Sequence, residues 1–515
     1  MKGSRAIRPA RPAQAFPAPG SGDGRAASGL ASLGLTVPEL LERAGIAVPP
    51  GLAAGPSGAP RLTGVSTDTR SMKEGDLFVA LQGANFDGAE FVAQAFAKGA
   101  SGAVAPSSLR RRGAGLSEGE RSRVAYCPDA LAALGALAGA VRERSGVFLA
   151  AVTGSVGKTT VKDLLKAAFE EGLGPTLATE GNFNNQVGVP WTLFRLGKNH
   201  AAAVLELGAG DFGEIAALAG ITRPDLAMIT RVERAHLEAF GDLEGVARAK
   251  LELFAGLKGG AAAVVNLDDP YIKAMGEALK KDSGFEGRIF TYGSAGSGAD
   301  AELLGVEELP DGGWSLAVRG GPFGEGFRLE APVPGRHNAW NAFSAAAAAA
   351  AAGVPADAVR RGLARATLPA GRGRLVRSGG LAIIDSSYNA SPGAVAAELA
   401  RLSGLPGPRG ALLSDMLEMG ASGPELHREA GRLAAASGLD YLALAGDLCR
   451  DTLAGALEAG FPRSRARRFE SPLEAAEWAR GMSGGRGTLL VKGSHATGLW
   501  KAVGLLAPEA AGQGG

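Results

Sequence analysis

The chain reads as blocks of two kinds. Short continuous apolar runs have the pattern of buried strands. They alternate with stretches whose apolar side chains return every three or four residues, the pattern of helices. The sharpest case is the run 147–152, followed by VKDLLKAAFEEGL, where Val161, Leu164, Leu165, Ala168 and Phe169 share a helix face. Runs 201–207, 226–230 and 261–266 repeat the strand pattern, with helical spacing between them. Strands alternating with helices predict a mostly parallel sheet joined by right-handed crossovers. Residues 289–329 are glycine-rich without helical periodicity and predict antiparallel β structure, closed by an alanine-rich helix over 338–352.

The same reading extends to both sides. A helical pattern from Leu35, strands 62–65 and 77–81, a helix over 91–97 and a strand over 102–105 make a small α/β unit ending near Cys127, with 110–123 as a loop. Beyond Arg372, strands 381–385, 410–414, 442–445 and 488–491, with helices between, predict a second open sheet. The expected fold class is α/β with three domains. These are a small N-terminal α/β domain (31–128), a central parallel sheet of the P-loop ATPase type (129–370) and a C-terminal Rossmann-like open sheet (371–508). Residues 1–30, rich in Arg, Pro and Gly, lack the apolar core of a secretory signal and read either as a disordered tail or as sequence ahead of the true start site.

Composition narrows the picture. At 515 residues the chain exceeds a single core. Lys+Arg 54 against Asp+Glu 52 gives no support for a nucleic-acid or membrane partner. Two cysteines, Cys127 and Cys449, cannot form a disulfide framework and fit a reducing, cytoplasmic compartment. No apolar run reaches the ~18 residues of a membrane span; the alanine run 345–352 reads as a small-residue helix.

The candidate chemistry starts at the turn TGSVGKTT, between the 147–152 strand and its helix. Strand, glycine turn and helix together form a phosphate-binding loop. Gly154, Ser155, Val156 and Gly157 offer backbone N–H groups at a helix N-terminus. Lys158 would reach the terminal phosphates, and the Thr159 hydroxyl, beside Thr160, would coordinate Mg²⁺. Val152 stands where the general GxxxxGK(S/T) pattern has its first glycine. A nucleoside triphosphate site follows.

Other polar groups fall at strand ends, where open sheets place ligands. Glu206 ends the 201–207 strand and is placed either to bind Mg²⁺ or to be a loop acid. His236 follows the 226–230 strand by a short turn. Lys250, on the next helix, reads as a solvated surface charge. Asn182, Asn184 and Asn185 suit hydrogen bonding to phosphate and peptide groups, or an Asn-rich turn. Asn338 and Asn341 lie three apart on a helix, suited to an adenine edge or to capping.

Taken as an ordered set, TGSVGKTT, the Glu206 strand end, His236, ARAK ending at Lys250, and GRHNAWN resemble the motifs of the Mur ligase family, which forms amide bonds with ATP. TEGNFNNQVGVPWTL, AHLEAFGDLEGVARAKLELF, IIDSSYNASPGA and SDMLEMGASGPELHREAG resemble the branch that adds D-alanyl-D-alanine to UDP-N-acetylmuramoyl-tripeptide through an acyl phosphate. VSTDTRSMKEGDLFVALQGANFDGAEF resembles the family's uridine-nucleotide domain. The resemblance covers about residues 35–505.

The resemblance implies roles. Residues 154–160 bind ATP, with Lys158 catalytic and Thr159 on Mg²⁺. Glu206 and His236 match metal ligands, and Lys250 matches a lysine carbamylated to serve as one. Asn338 and Asn341 match the adenine side. Arg374 matches an arginine near the ATP phosphates, and Asp385 falls on the ribose side. Asp68, Thr69 and Arg70 fall in the uridine loop. Thr179, Asn182, Asn184, Asn185, Tyr388 and Asn389 fall in stretches that hold the muramoyl-peptide substrate. The implied cofactors are ATP and Mg²⁺. The implied partners are UDP-N-acetylmuramoyl-tripeptide and D-alanyl-D-alanine, with no nucleic acid, no membrane span and a monomeric state.

The chain departs from the family pattern at Ser386, where a second acid is usual, and at Ser391, Gly210, Ala89 and Ser414. Two rival readings stay open: another amino-acid ligase of the family, and a nucleotide-binding paralogue without ligase activity.

Overall fold

The computed structural model describes residues 25–53, 60–83, 86–112, 115–257, 259–282, 284–310 and 312–508. It is an α/β structure with three sheets. The first holds β1 (Val65–Ser66), β2 (Leu77–Val79), β3 (Gly102–Pro106) and β4 (Val124–Cys127), all parallel and in chain order. The second holds β5 (Phe148–Thr153), β6 (Thr176–Ala178), β7 (Ala202–Glu206), β8 (Leu226–Ile229), β9 (Ala262–Asn266), β10 (Arg288–Ser294), β11 (Ala301–Glu308), β12 (Trp314–Arg319) and β13 (Phe327–Ala331). Its order is β13-β12-β11-β10-β9-β8-β5-β7-β6. The third holds β14 (Arg374–Ser378), β15 (Gly380–Ser386), β16 (Arg409–Ser414), β17 (Tyr441–Ala445), β18 (Ala466–Phe469) and β19 (Arg486–Lys492), in the order β14-β15-β19-β16-β17-β18.

The chain divides into two compact units. One is Met1–Phe148, Thr179–Ala203 and Gly220–Arg223; the other is Leu149–Ala178, Val204–Ala219 and Pro224–Gly515. In the first, helix Val37–Arg43 starts at Thr36, which forms a reciprocal capping box with Glu39 and leaves Leu40 and Leu41 to be buried. Phe78, Val92 and Phe96 lie in the core beside the β1–β4 sheet, with the Arg123 guanidinium 4.6 Å from the centre of the Phe96 ring. In the second unit, Leu149, Ala150, Ala151 and Val152 of β5 have no exposed surface, as a strand covered on both faces requires. The C-terminal sheet packs one apolar layer on each face, one around Leu413 and Leu444, the other around Leu412 and Ala443.

Several sequence expectations change. The segment expected as a loop over 110–123 contains parts of two short helices, Ser107–Arg112 and Glu118–Arg121; Ser117 caps the second with Glu120. The strand expected at 62–65 shrinks to Val65–Ser66. In the region expected to be antiparallel, β11, β12 and β13 are antiparallel, but β10 runs parallel to β9 and β11. Helix Arg25–Ser32 lies partly within the stretch read as a tail; residues 1–24 lie outside the described residues. Among the described residues no helix is long and apolar enough to cross a membrane.

Candidate active site

The site begins where β5 gives way to helix Lys158–Gly172. Val152 still belongs to β5, paired with Met228 of β8, so the turn opens only at Gly154. Two glycines are required sterically. Gly154 has φ +147, and a Cβ there would lie 2.1 Å from Thr230 Oγ1. Gly157 has φ +80, and a Cβ would lie 2.5 Å from Asn341 Oδ1. The loop is tied from below: Ser155 N donates to Arg231 O at 2.8 Å, and Thr230 Oγ1 donates to Val156 O at 2.5 Å.

Lys158 Nζ folds back to donate to Gly154 O at 2.8 Å. Burial pulls its pKa below the usual lysine range; the Glu206 carboxylate opposes this and Arg372 adds to it. Thr159 Oγ1 donates to Glu206 Oε2 at 2.7 Å, and Glu206, at the end of β7, is buried. Thr160 is buried beside them.

Lys250 corrects the sequence expectation of a surface charge. It is 1 % exposed on helix Leu243–Ala255. Its ammonium lies 5.6 Å from the centre of the Phe240 ring, without an ion pair among the described residues. Burial and the neighbouring Lys158 lower its pKa to about 7. The sequence carried the signal: Val246, Lys250 and Leu253 share one helix face, and both apolar neighbours are buried. His236 is part-exposed in the left-handed region, φ +52, with Nδ1 against the Glu418 carboxylate.

Asn338 and Asn341 do not cap their helix. Gly335 occupies the cap position, Asn338 Nδ2 donates back to Pro334 O at 2.7 Å, and Asn341 Nδ2 donates to Asn338 Oδ1 at 2.9 Å. Asn341 is thereby held with its Oδ1 toward Gly157.

From the C-terminal sheet, the arginine that meets the phosphate loop is Arg372. Its Nη2 donates to Thr159 Oγ1 at 2.9 Å, and its guanidinium sits 3.8 Å from the centre of the Tyr388 ring. Arg374, the arginine expected from sequence, instead opens β14 opposite Asp385, with its Nε buried and unpartnered. Asp385 is buried; its Oδ2 accepts from Gly371 N at 2.8 Å and its Oδ1 from Ser387 Oγ at 2.6 Å. Tyr388 packs edge-on against His495, and Asn389 is exposed, its carbonyl accepting from Lys492 Nζ at 3.0 Å. Arg372, Glu418 and Thr230 were not singled out in the sequence; the two arginines stand only two residues apart in GRGR.

The remaining expected residues lie in the other unit. Arg70 chelates Asp68, with Nη2 2.6 Å from Oδ2. Thr69 Oγ1 donates to Gln94 Oε1 at 2.9 Å. Thr179 is buried, and Asn182 is exposed. Asn184 N donates to Asn182 O at 2.8 Å. Asn185 Oδ1 accepts from Val187 N and Gly188 N at 3.1 and 2.8 Å, holding the start of helix Gly188–Leu193.

The arrangement brings a phosphate loop, a hydroxyl–carboxylate pair and cations from two sheets together. Three family models match: "Mur ligase family, catalytic domain" over 61–142, "Mur ligase middle domain" over 152–349 and "Mur ligase, glutamate ligase domain" over 371–495. The UDP-N-acetylmuramoyl-tripeptide–D-alanyl-D-alanine ligase of Escherichia coli is 36 % identical over 384 residues, covering 74 % of this chain and 80 % of the relative. That of Synechocystis is 33 % identical over 453 residues, covering 87 % and 93 %. A crystal structure of MurF from Acinetobacter baumannii superposes with a TM-score of 0.80 at 29 % identity, covering 92 % of this chain and 98 % of that one. MurF from Thermotoga maritima in complex with ADP gives a TM-score of 0.73 at 25 % identity, covering 87 % and 98 %.

Proposed function

The chain belongs to the Mur ligase family, and from that premise we propose that it joins D-alanyl-D-alanine to UDP-N-acetylmuramoyl-tripeptide, converting ATP to ADP and phosphate. The product is the UDP-muramoyl-pentapeptide of peptidoglycan synthesis. The observation that carries this reading is the extent of the likeness: relatives of that one activity match across all three sheets.

The chemistry is an acyl transfer in two steps. The tripeptide carboxylate attacks the γ-phosphoryl group, giving an acyl phosphate and ADP. The free amine of D-alanyl-D-alanine then attacks the acyl carbonyl, loses its proton, and phosphate leaves. The first step brings two anions together, so positive charge and placement are what the protein supplies. The glycine turn presents its N–H groups to the phosphates. Lys158 needs only to swing from the Gly154 carbonyl to reach them. Arg372 enters from the other side and is already in contact with Thr159. Asn341, beside Gly157, and Asn338, hydrogen-bonded to it, suit the adenine end.

The site's chemistry fits Mg²⁺. Thr159 and Glu206 would supply the hard oxygen donors it prefers, and the family resemblance assigns His236 as a further ligand. A buried lysine near its neutral form, without an ion pair among the described residues, fits carbamylation, which needs the free amine. When bound, the metal neutralises phosphate charge. The uridine loop 68–70, the 179–185 loop and residues 388–389 belong to the muramoyl-nucleotide side of the proposal. The proposal also includes a three-domain division at 31–128, 129–370 and 371–508, a monomeric state and a cytoplasmic location.

Phosphate release measured across a matrix of acceptor and donor substrates tests the reading. Release requiring both D-alanyl-D-alanine and the UDP-tripeptide supports it. Release with a single amino acid would favour another ligase of the family, and nucleotide binding without release a non-catalytic paralogue.

A further inference from the structure

A buried polar knot lies against the segment that carries Arg372. Glu398, on helix Pro392–Ser403, is 3 % exposed. Its Oε1 accepts from Ser386 Oγ at 2.6 Å, and its Oε2 faces Arg401 Nη1 at 3.4 Å. Arg401 Nη1 also donates to Gly373 O at 2.9 Å. A Cβ on Gly373 would lie 3.1 Å from Glu398 Oε1, 3.4 Å from Arg401 Nη1 and 3.8 Å from Ser386 Oγ, so the knot touches this residue directly. On the other side, Gly371 N and Gly373 N donate to Asp385 Oδ2 and O at 2.8 and 2.7 Å. The segment 371–373 is thus gripped by two carboxyl-bearing residues, and Arg372 projects from its middle toward Thr159.

Burial pushes the Glu398 carboxyl up, but Lys492, His337, Arg401 and the Ser386 hydroxyl outweigh it and leave it below the ordinary glutamate value. A buried carboxylate held by the Arg401 guanidinium and the Ser386 hydroxyl is costly to break from one side. Its placement against the Arg372 segment gives that rigidity a use.

We infer that Glu398 is a positioning residue for Arg372: through Ser386 and Arg401 it fixes the 371–373 segment, so that the guanidinium arrives at the phosphate loop already aimed. The inference rests on the ligase reading. It also accounts for Ser386, the position where the family pattern carries an acid. The 2.6 Å contact means that a carboxylate on residue 386 would fall where Glu398 now sits. In this chain the carboxylate at that place comes from the neighbouring helix.

The test compares wild type with Glu398→Ala, Glu398→Gln, Arg372→Ala, Glu398→Ala/Arg372→Ala and Ser386→Asp/Glu398→Ala. Readouts are ligation kinetics and hydrogen exchange of the Gly371 and Gly373 amides. Glu398→Ala lowers kcat about 10- to 100-fold, as a misaimed group does, while the KM for the UDP-tripeptide stays put. It adds nothing to Arg372→Ala, and the two glycine amides lose about tenfold in protection. Ser386→Asp recovers most of the loss in the Glu398→Ala background. If Glu398→Ala does not fold, Glu398→Gln and the Ser386→Asp pair carry the same comparison. Wild-type kcat in Glu398→Ala, or a loss fully additive with Arg372→Ala, would overturn the inference. An inactive wild type would instead overturn the ligase reading, and the exchange of the glycine amides would still decide the role of Glu398.

Discussion

Arg372 donates from Nη2 to Thr159 Oγ1 across 2.9 Å while its guanidinium lies 3.8 Å from the centre of the Tyr388 ring. Stacking on one side and donating on the other uses both properties of a planar, delocalised cation. Lysine has neither the plane nor the fork. Arg372→Lys therefore lowers kcat by about 10²-fold, in the range of a lost transition-state donor, with little change in the KM for the UDP-tripeptide. Steady-state phosphate release checks it; an unchanged kcat would mean that charge alone suffices.

Lys250 is enclosed, and Lys158 is close enough to disfavour its charge. A cation beside Mg²⁺ would be repelled, whereas a carbamate offers oxygens. Lys250→Ala should lose ligation, and formate or acetate, filling the vacated space with a carboxylate, should restore part of it. Lys158→Ala, the control, should be inactive at every acid concentration yet keep its affinity for the UDP-substrate. Full activity of Lys250→Ala without added acid would rule out the carbamate.

The family pattern alone would make Ser386→Asp an improvement. The 2.6 Å contact with Glu398 reverses that expectation, because it sets two buried carboxylates side by side. Ser386→Asp in the wild-type background should be destabilised by on the order of 2 kcal/mol. Denaturant titration measures this; equal or higher stability would show that the knot has room for a second acid.

Lys492 gives the fold a pH dependence. Burial pulls it down to about 8, with Glu398 opposing and Arg372 adding. Unfolded, the amine holds its proton up to its ordinary value near 10.5. Between these limits the unfolded chain binds more protons, so this group makes stability rise with pH from about 8 to about 10.5. The rise amounts to on the order of 3 kcal/mol. Lys492→Met should flatten that part of the stability profile; a profile parallel to wild type would contradict it.

The succession of strands and helices was legible because buried strands are continuous apolar runs, and β5, β7, β8 and β9 fall within a residue or so of the expected runs. The phosphate loop was legible because glycine has few substitutes where Thr230 and Asn341 come within 2.1 and 2.5 Å of a would-be Cβ. What local sequence hid was set by distant contacts. The choice between Arg372 and Arg374 depends on Thr159, more than 200 residues away along the chain. The short helix Glu118–Arg121 depends on its Ser117–Glu120 cap, in a background of glycine and arginine with no apolar period. The burial of Lys250 was written in its apolar helix neighbours but masked by the usual preference of lysine for water.

The central claim is the bond that is made. Purified protein incubated with ATP, Mg²⁺, UDP-N-acetylmuramoyl-tripeptide and D-alanyl-D-alanine should yield UDP-muramoyl-pentapeptide, identified by mass, with about one phosphate released per amide bond, as an acyl phosphate requires. Omitting D-alanyl-D-alanine should stop both. Phosphate release that continues without it, or no new species at the mass of the pentapeptide nucleotide, would contradict the account.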